Sequence, residues 1–188
     1  MSKEQNSNYK RLSRMKGKDL SYFVSGFVDG EGAFSVSITK QPYQHLKKGW
    51  KWILNPAFQV YQHEDHLWFL EFLKDKVFKT GRIHRKSSPY SVFTYSVENR
   101  VVLYEKIIPF FSKYRLGVKD DDFQKFSQVI KKIHAKEHLT EKGFKNIVDL
   151  VFEMNKHGKQ RKYSKEYIFE TLPEQFKIKE SSETIRQS

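Results

Sequence analysis

The sequence predicts an α+β domain: a helix, a strand pair, a second helix and a second strand pair follow one another, and later helices back the sheet. Three observations predict it. Apolar residues recur at helical spacing from Leu20 to Val28 and stop at Gly30 and Gly32. Strict alternation of apolar and polar residues begins at once in Ala33 to Thr39. The same order, helical spacing and then strand-like runs, returns between Glu64 and Val97.

Met1 to Lys18 is polar and carries Lys10, Arg11, Arg14, Lys16 and Lys18 with little to bury, so residues 1–18 read as a mostly flexible basic arm. Asp19 is placed to cap the helix that holds Leu20, Phe23, Val24, Phe27 and Val28. The first strand turns Phe34, Val36 and Ile38 to one face, and the second, from about Lys51 to Gln62, turns Trp52, Leu54, Phe58 and Val60 inward. Leu67, Phe69, Leu70 and Leu73 mark a helix over residues 64–77, and residues 81–86 and 91–97 read as a strand pair around Ser87 to Tyr90. Asn99 to Phe111 is expected to be helical up to the region of Pro109, and Phe123, Phe126, Val129, Ile130 and Ile133 give an amphipathic helix over residues 119–133. Thr140 is a good cap for the next helix, with Leu139 and Phe144 as a hydrophobic staple and Ile147, Val148 and Val151 continuing the stripe to about Met154. A basic run from Lys156 to Lys165 precedes a last helix over residues 166–172. The folded domain is thus expected to span residues 19–172, with residues 173–188 a frayed tail.

A chain of 188 residues with 38% hydrophobic and 15% aromatic content can bury a real core. Its 35 Lys and Arg against 22 Asp and Glu give a net charge of +13, which makes a polyanion the expected partner. No apolar run approaches the ~20 residues of a spanning helix and the first twenty residues hold no apolar signal core, so a soluble, intracellular protein with no membrane partner is expected. The usage of Lys, Phe, Tyr, Ile and Asn hints at an AT-rich source, which suggests a chloroplast or mitochondrion in a eukaryote and the cytoplasm in a bacterium. The absence of cysteine excludes disulfides, thiolate zinc sites and a cysteine nucleophile, so any metal must sit on oxygen or imidazole.

The most informative stretch is Phe23-Val24-Ser25-Gly26-Phe27-Val28-Asp29-Gly30-Glu31-Gly32. Ser25, Gly26 and Gly30 weaken a helix, by up to ~1 kcal/mol for each glycine, a cost that makes sense where another backbone approaches closely; a second copy of the same helix fits. Asp29 and Glu31 lie at the negative end of the helix dipole, where a divalent cation would compensate their charge. Carboxylates suit magnesium, whose shell is completed by water and substrate phosphate, the chemistry of phosphodiester hydrolysis. The bland alternative is a surface helix with acids in its last turn.

At Val24 to Gly32 the sequence resembles the LAGLIDADG signature, with Glu31 at the position of the last acid. The resemblance runs from about Leu20 to Leu172 and is to the single-motif, homodimeric members of that homing endonuclease family. It implies an αββαββα core whose four-stranded antiparallel saddle lies along the DNA major groove. It also implies that two copies of the helix pack across a two-fold axis through Ser25, Gly26 and the helix end supported by Asp29. Glu31, with Gly30, would hold magnesium at the scissile phosphates, and calcium would support binding without cleavage. Gln62 stands where the family places a glutamine that holds water at the metal. Lys119 matches a basic residue of the active site, and His66 stands where the family more often has arginine or lysine. A separate metal pair at His63 and His66 with Glu64 and Asp65 is a weaker alternative.

Alternation turns Ser35, Ser37, Thr39, Gln41, Asn55, Gln59 and Tyr61 outward on the first strand pair. On the second it turns out Arg82, His84, Lys86, Thr94 and Ser96, with Phe93, Tyr95 and Val97 pointing in. Such donors and acceptors suit base edges. Lys47, Lys48, Lys51, Lys159, Arg161 and Lys162 are expected at phosphates, where contacts give affinity and salt dependence. The resulting expectation is a DNA-cutting enzyme acting on double-stranded DNA as a homodimer. Its rivals are an intron RNA maturase or a non-cleaving nucleic-acid-binding protein of the same fold, and a DNA-binding regulator.

Overall fold

The first helix shows how tertiary contacts rescue a weak local signal. In a computed structural model that describes residues 3–43, 49–86, 91–154, 161–173 and 175–176, α1 (Lys3–Arg14) occupies the segment expected to be a flexible arm. Tyr9 and Leu12 lie one turn apart, and that is enough: Leu12 is buried, and the Tyr9 ring meets Trp68 and Phe72 edge-on, the latter at 5.8 Å. The Gln5 side chain donates to the Asp65 carbonyl at 2.7 Å.

α2 (Gly17–Glu31) begins two residues before Asp19, which sits in its first turn instead of at the cap. The helix also runs through Gly30 and ends only at Gly32. There a Cβ would lie 2.5 Å from Val28 Cγ1 and 2.7 Å from the Val28 carbonyl oxygen, so only a glycine lets helix turn directly into strand. Gly32→Ala is therefore expected to lower stability by about 1–3 kcal/mol, measured as a shift of the urea midpoint.

β1 (Gly32–Pro42) and β2 (Trp50–His63) follow, then a 3-10 turn over Glu64–His66, α3 (Leu67–Phe72) and a widened π-helical turn over Leu73–Phe78. β3 (Arg82–Arg85) and β4 (Val92–Val97) complete a sheet of order β1-β2-β4-β3, in which β4 pairs antiparallel with both β2 and β3. α4 (Arg100–Val102), capped by the Asn99 side chain, leads through a π-helical turn over Leu103–Ile107 into α5 (Ile108–Lys113). The helix thus passes Pro109 instead of stopping there. The widened turn just before the proline is where its ring would otherwise meet the carbonyl four residues back. α6 (Asp120–His134), α7 (Glu141–Glu153) and α8 (Lys165–Thr171) follow. None of the helices among the described residues is long and apolar enough to cross a membrane.

The chain divides into two units, with breaks after Ser35, Pro56 and Gln124, so the boundary expected at residue 18 does not separate an arm from a domain. The unit that holds α1 and α2 has an aromatic core. Phe34 stacks on Phe58 at 5.3 Å, and Phe78, Phe111 and Phe123 close around them. The other unit is built on Trp52, Leu54, Val129, Ile133, Phe144, Ile147, Val148, Ile168 and Leu172. In it, the Lys40 ammonium lies 4.1 Å from the Trp50 ring centre and 4.6 Å from that of Tyr167, and donates to the Tyr167 hydroxyl. Thr140 caps α7 as expected, accepting from Gly143 N–H at 3.1 Å. Leu139, by contrast, is 43% exposed and forms no buried staple.

Candidate active site

The C-terminal end of α2 is tied to the loop before α6 by one carboxylate. Asp29 accepts the backbone N–H groups of Gly117, Val118 and Lys119 at 3.1, 2.9 and 2.8 Å. Burial opposes its charge, but those three donors and the Lys119 ammonium outweigh it and hold the carboxyl below its ordinary range. The loop so fixed places Lys119, whose Nζ donates to the Gly30 carbonyl at 2.7 Å. A carboxyl with a depressed folded pKa contributes stability above its unfolded value, near pH 4, and loses it as pH falls through the folded value. Asp29→Asn is thus expected to destabilise the chain by about 1–2 kcal/mol at pH 7. That gap should narrow as pH falls below about 4 and through the lowered folded value, as read from denaturation midpoints across pH.

Next to this clamp, Glu31 is exposed and makes no hydrogen bond or ion pair among the described residues. The oxygen donors at the helix end are therefore one free carboxylate and the Gly30 carbonyl. No three His, Asp or Glu gather into a cage among the described residues, which leaves no support for a separate centre at His63 and His66. His63 instead pairs with Asp65 at 2.9 Å. A sparse set of hard oxygen ligands fits magnesium, which keeps several waters and takes substrate phosphates; it does not fit zinc.

Gln62, half-buried at the end of β2, and exposed His66 line one groove together with Asn8, Arg11 and Leu12 of α1, Phe23 and Phe27 of α2, and Trp68 and Phe69 of α3. The part played by α1 was missed in the sequence, where the only signal was one apolar turn in a basic segment. Along α2, Tyr22 and Phe23 are 58% and 40% exposed, and a Cβ at Gly26 or Gly30 would meet nothing within 4 Å. This helix thus carries an open face of two large aromatics and two glycines. Ser25 is not on it. It is buried, and its hydroxyl donates to the Tyr114 carbonyl at 2.6 Å, so its small size serves packing within the chain, contrary to its expected place at an interface.

The strand residues divide into those left open and those already engaged. In the first unit, Gln59, Ser96 and Arg82 lie in register, as do Tyr61, Thr94 and His84, so each set shares a face. Thr94 and Ser96 are nevertheless buried, because short side chains on β4 lie between the longer ones of β2 and β3; they are not outward readers as expected. The Tyr61 hydroxyl donates to Gln59 Oε1 at 2.9 Å, Ser35 is half-buried, and His84 and Lys86 are exposed. Arg82 is paired with Glu98 at 2.9 Å. In the second unit Asn55 donates to Thr39 at 2.8 Å, and Ser37 and Gln41 are exposed. Lys51 lies 4.2 Å from the Tyr43 ring centre, and Lys162 5.5 Å from that of Tyr163. Arg161, expected at a phosphate, donates instead to the Val151 and Met154 carbonyls at the end of α7 and lies over Phe152. Lys47, Lys48 and Lys159 lie outside the described residues.

A helix ending in a free acid, a lysine clamped beside it and a four-stranded sheet define the class to which the chain conforms, the α+β fold of the LAGLIDADG proteins. The chain belongs to the LAGLIDADG endonuclease family, whose profile matches residues 24–130, more than half of its length. It is 35% identical over 92 residues to the DNA endonuclease I-CeuI of Chlamydomonas moewusii, which covers 49% of this chain and 40% of that one. Among solved structures, the archaeal intron-encoded homing endonuclease I-Vdi141I complexed with DNA is similar with a TM-score of 0.71 and 29% identity, covering 84% of this chain and 97% of that one. I-SmaMI bound to an uncleaved DNA target in the presence of calcium ions gives 0.63 and 35%, over 72% and 45% of the two chains. The chain thus spans well under half the length of the curated relatives it matches.

Proposed function

We propose that this chain is a site-specific homing endonuclease that makes a magnesium-dependent double-strand break at a long, near-palindromic DNA site and works as a homodimer. The observation that carries this is the end of α2, where exposed Glu31 stands beside a lysine fastened by the Asp29 clamp. Glu31 would hold the ion, joined by the Gly30 carbonyl once the Lys119 ammonium, which donates to it here, turns to substrate phosphate. Magnesium, when bound, neutralises charge building on the phosphate and makes water easier to deprotonate. Lys119 supplies a fixed cation for the same developing charge, and Gln62 uses its amide to orient the attacking water. One chain brings one such acid, whereas breaking a duplex takes two cleavages, so the second comes from a second copy laid against the open face at Gly26 and Gly30. The exposed strand residues Ser37, Gln41 and His84, with the Gln59–Tyr61 and Asn55–Thr39 pairs, read base edges, while Lys51, Lys86 and Lys162 meet phosphates.

The test is a cleavage selection on a randomised duplex library in magnesium. Recovered ends that define one site with approximate two-fold symmetry support the proposal. Tight binding with no cutting of any duplex would replace it with the RNA maturase or non-cleaving reading, and calcium should allow binding alone.

A further inference from the structure

We propose that Arg11 is a further active-site residue, its guanidinium delivered by α1 to the groove of Gln62 and His66, where it binds a phosphate oxygen of the strand being cut. The inference rests on the nuclease reading above. α1 is fixed by contacts to one neighbouring stretch: Gln5 to the Asp65 carbonyl, and Tyr9 to Trp68 and Phe72. That stretch begins directly after β2, so the helix is anchored to the same short piece of chain that carries Gln62 and His66. Asn8 and Arg11 line the groove with them, and Leu12, Phe23, Phe27, Trp68 and Phe69 supply its apolar remainder.

Arg11 is exposed beside this apolar lining, so its guanidinium is open to a phosphate laid over the groove. Among the polar lining groups, asparagine and glutamine are neutral, whereas a guanidinium carries a charge and grips two phosphate oxygens in one plane. Lys119 is engaged at the Gly30 carbonyl, so Arg11 adds a second cation on the Gln62 side. Arg14, exposed on the same helix, does not line the groove and is the natural control.

The experiment uses the full chain, the duplex recovered by the selection, and the variants Arg11→Gln, Arg11→Lys and Arg14→Gln. Single-turnover cleavage in magnesium is measured beside the dissociation constant in calcium. Arg11→Gln is expected to cut about 100-fold more slowly with its dissociation constant raised by only about a few-fold, Arg11→Lys to recover most of the loss, and Arg14→Gln to cut at the wild-type rate. Wild-type cutting by Arg11→Gln would overturn the inference, as would a loss of rate matched by an equal loss of affinity, or an Arg14→Gln as slow as Arg11→Gln. A wild-type chain that binds without cutting overturns the nuclease reading first, and the inference with it.

Discussion

Replacing Glu31 by glutamine is expected to stop strand cleavage while leaving DNA binding intact. The amide keeps the size of the side chain and removes the one free carboxylate at the end of α2. A metal's contribution of several kcal/mol to a phosphoryl transition state corresponds to a rate loss on the order of 1000-fold. Glu31 has no partner among the described residues, so no fold contact is lost and the melting temperature should hold. Binding in calcium at low salt should be equal or tighter, since one negative charge facing DNA is gone. Asp29→Ala would behave differently. It frees three backbone donors and lets Lys119 drift, so it should lose both stability and rate.

The second large effect is expected at Gly26. A Cβ there meets nothing within 4 Å in the single chain, so Gly26→Leu should fold at least as well as the wild type, with about 0.5–1 kcal/mol gained in helix propensity. Against a second copy, a misfit side chain costs about 1–3 kcal/mol and is felt twice across a two-fold axis. Dimer association should therefore weaken on the order of 100-fold, and double-strand cleavage should fall with it. Sedimentation of the two proteins at matched concentration checks this: a stable Gly26→Leu monomer is the expected result, and a dimer as tight as wild type would place the interface elsewhere.

Much of the fold was legible because its signals are local. The run from Leu20 to Val28, the glycine stop and the alternation after Ala33 require no partner to be read, and Gly32 shows why the stop is so abrupt. What failed depended on contacts distant in sequence. α1 has too little apolar surface to announce itself and is held by Trp68 and Phe72. Alternation correctly put Thr94 and Ser96 on their face but carries no information about depth, which the longer neighbours on β2 and β3 decide. Residue type likewise does not disclose a partner: Arg82 found Glu98, Arg161 found the end of α7, and Ser25 turned to the Tyr114 carbonyl. In the candidate site, Glu31 was readable from a helix ending in acids. Lys119 and Gly30 stand 89 residues apart, and their meeting was reachable only through the family resemblance.

In the proposed dimer each copy contributes one Glu31 and thereby cuts one strand. That division is tested by a mixed dimer of wild-type and Glu31→Gln chains, purified through a tag on one partner and given a supercoiled plasmid that carries the selected site. The mixed dimer is expected to nick the plasmid, which accumulates as open circles, while the wild-type dimer makes it linear. Linear product from the mixed dimer at the wild-type rate would show instead that one Glu31 suffices for both strands.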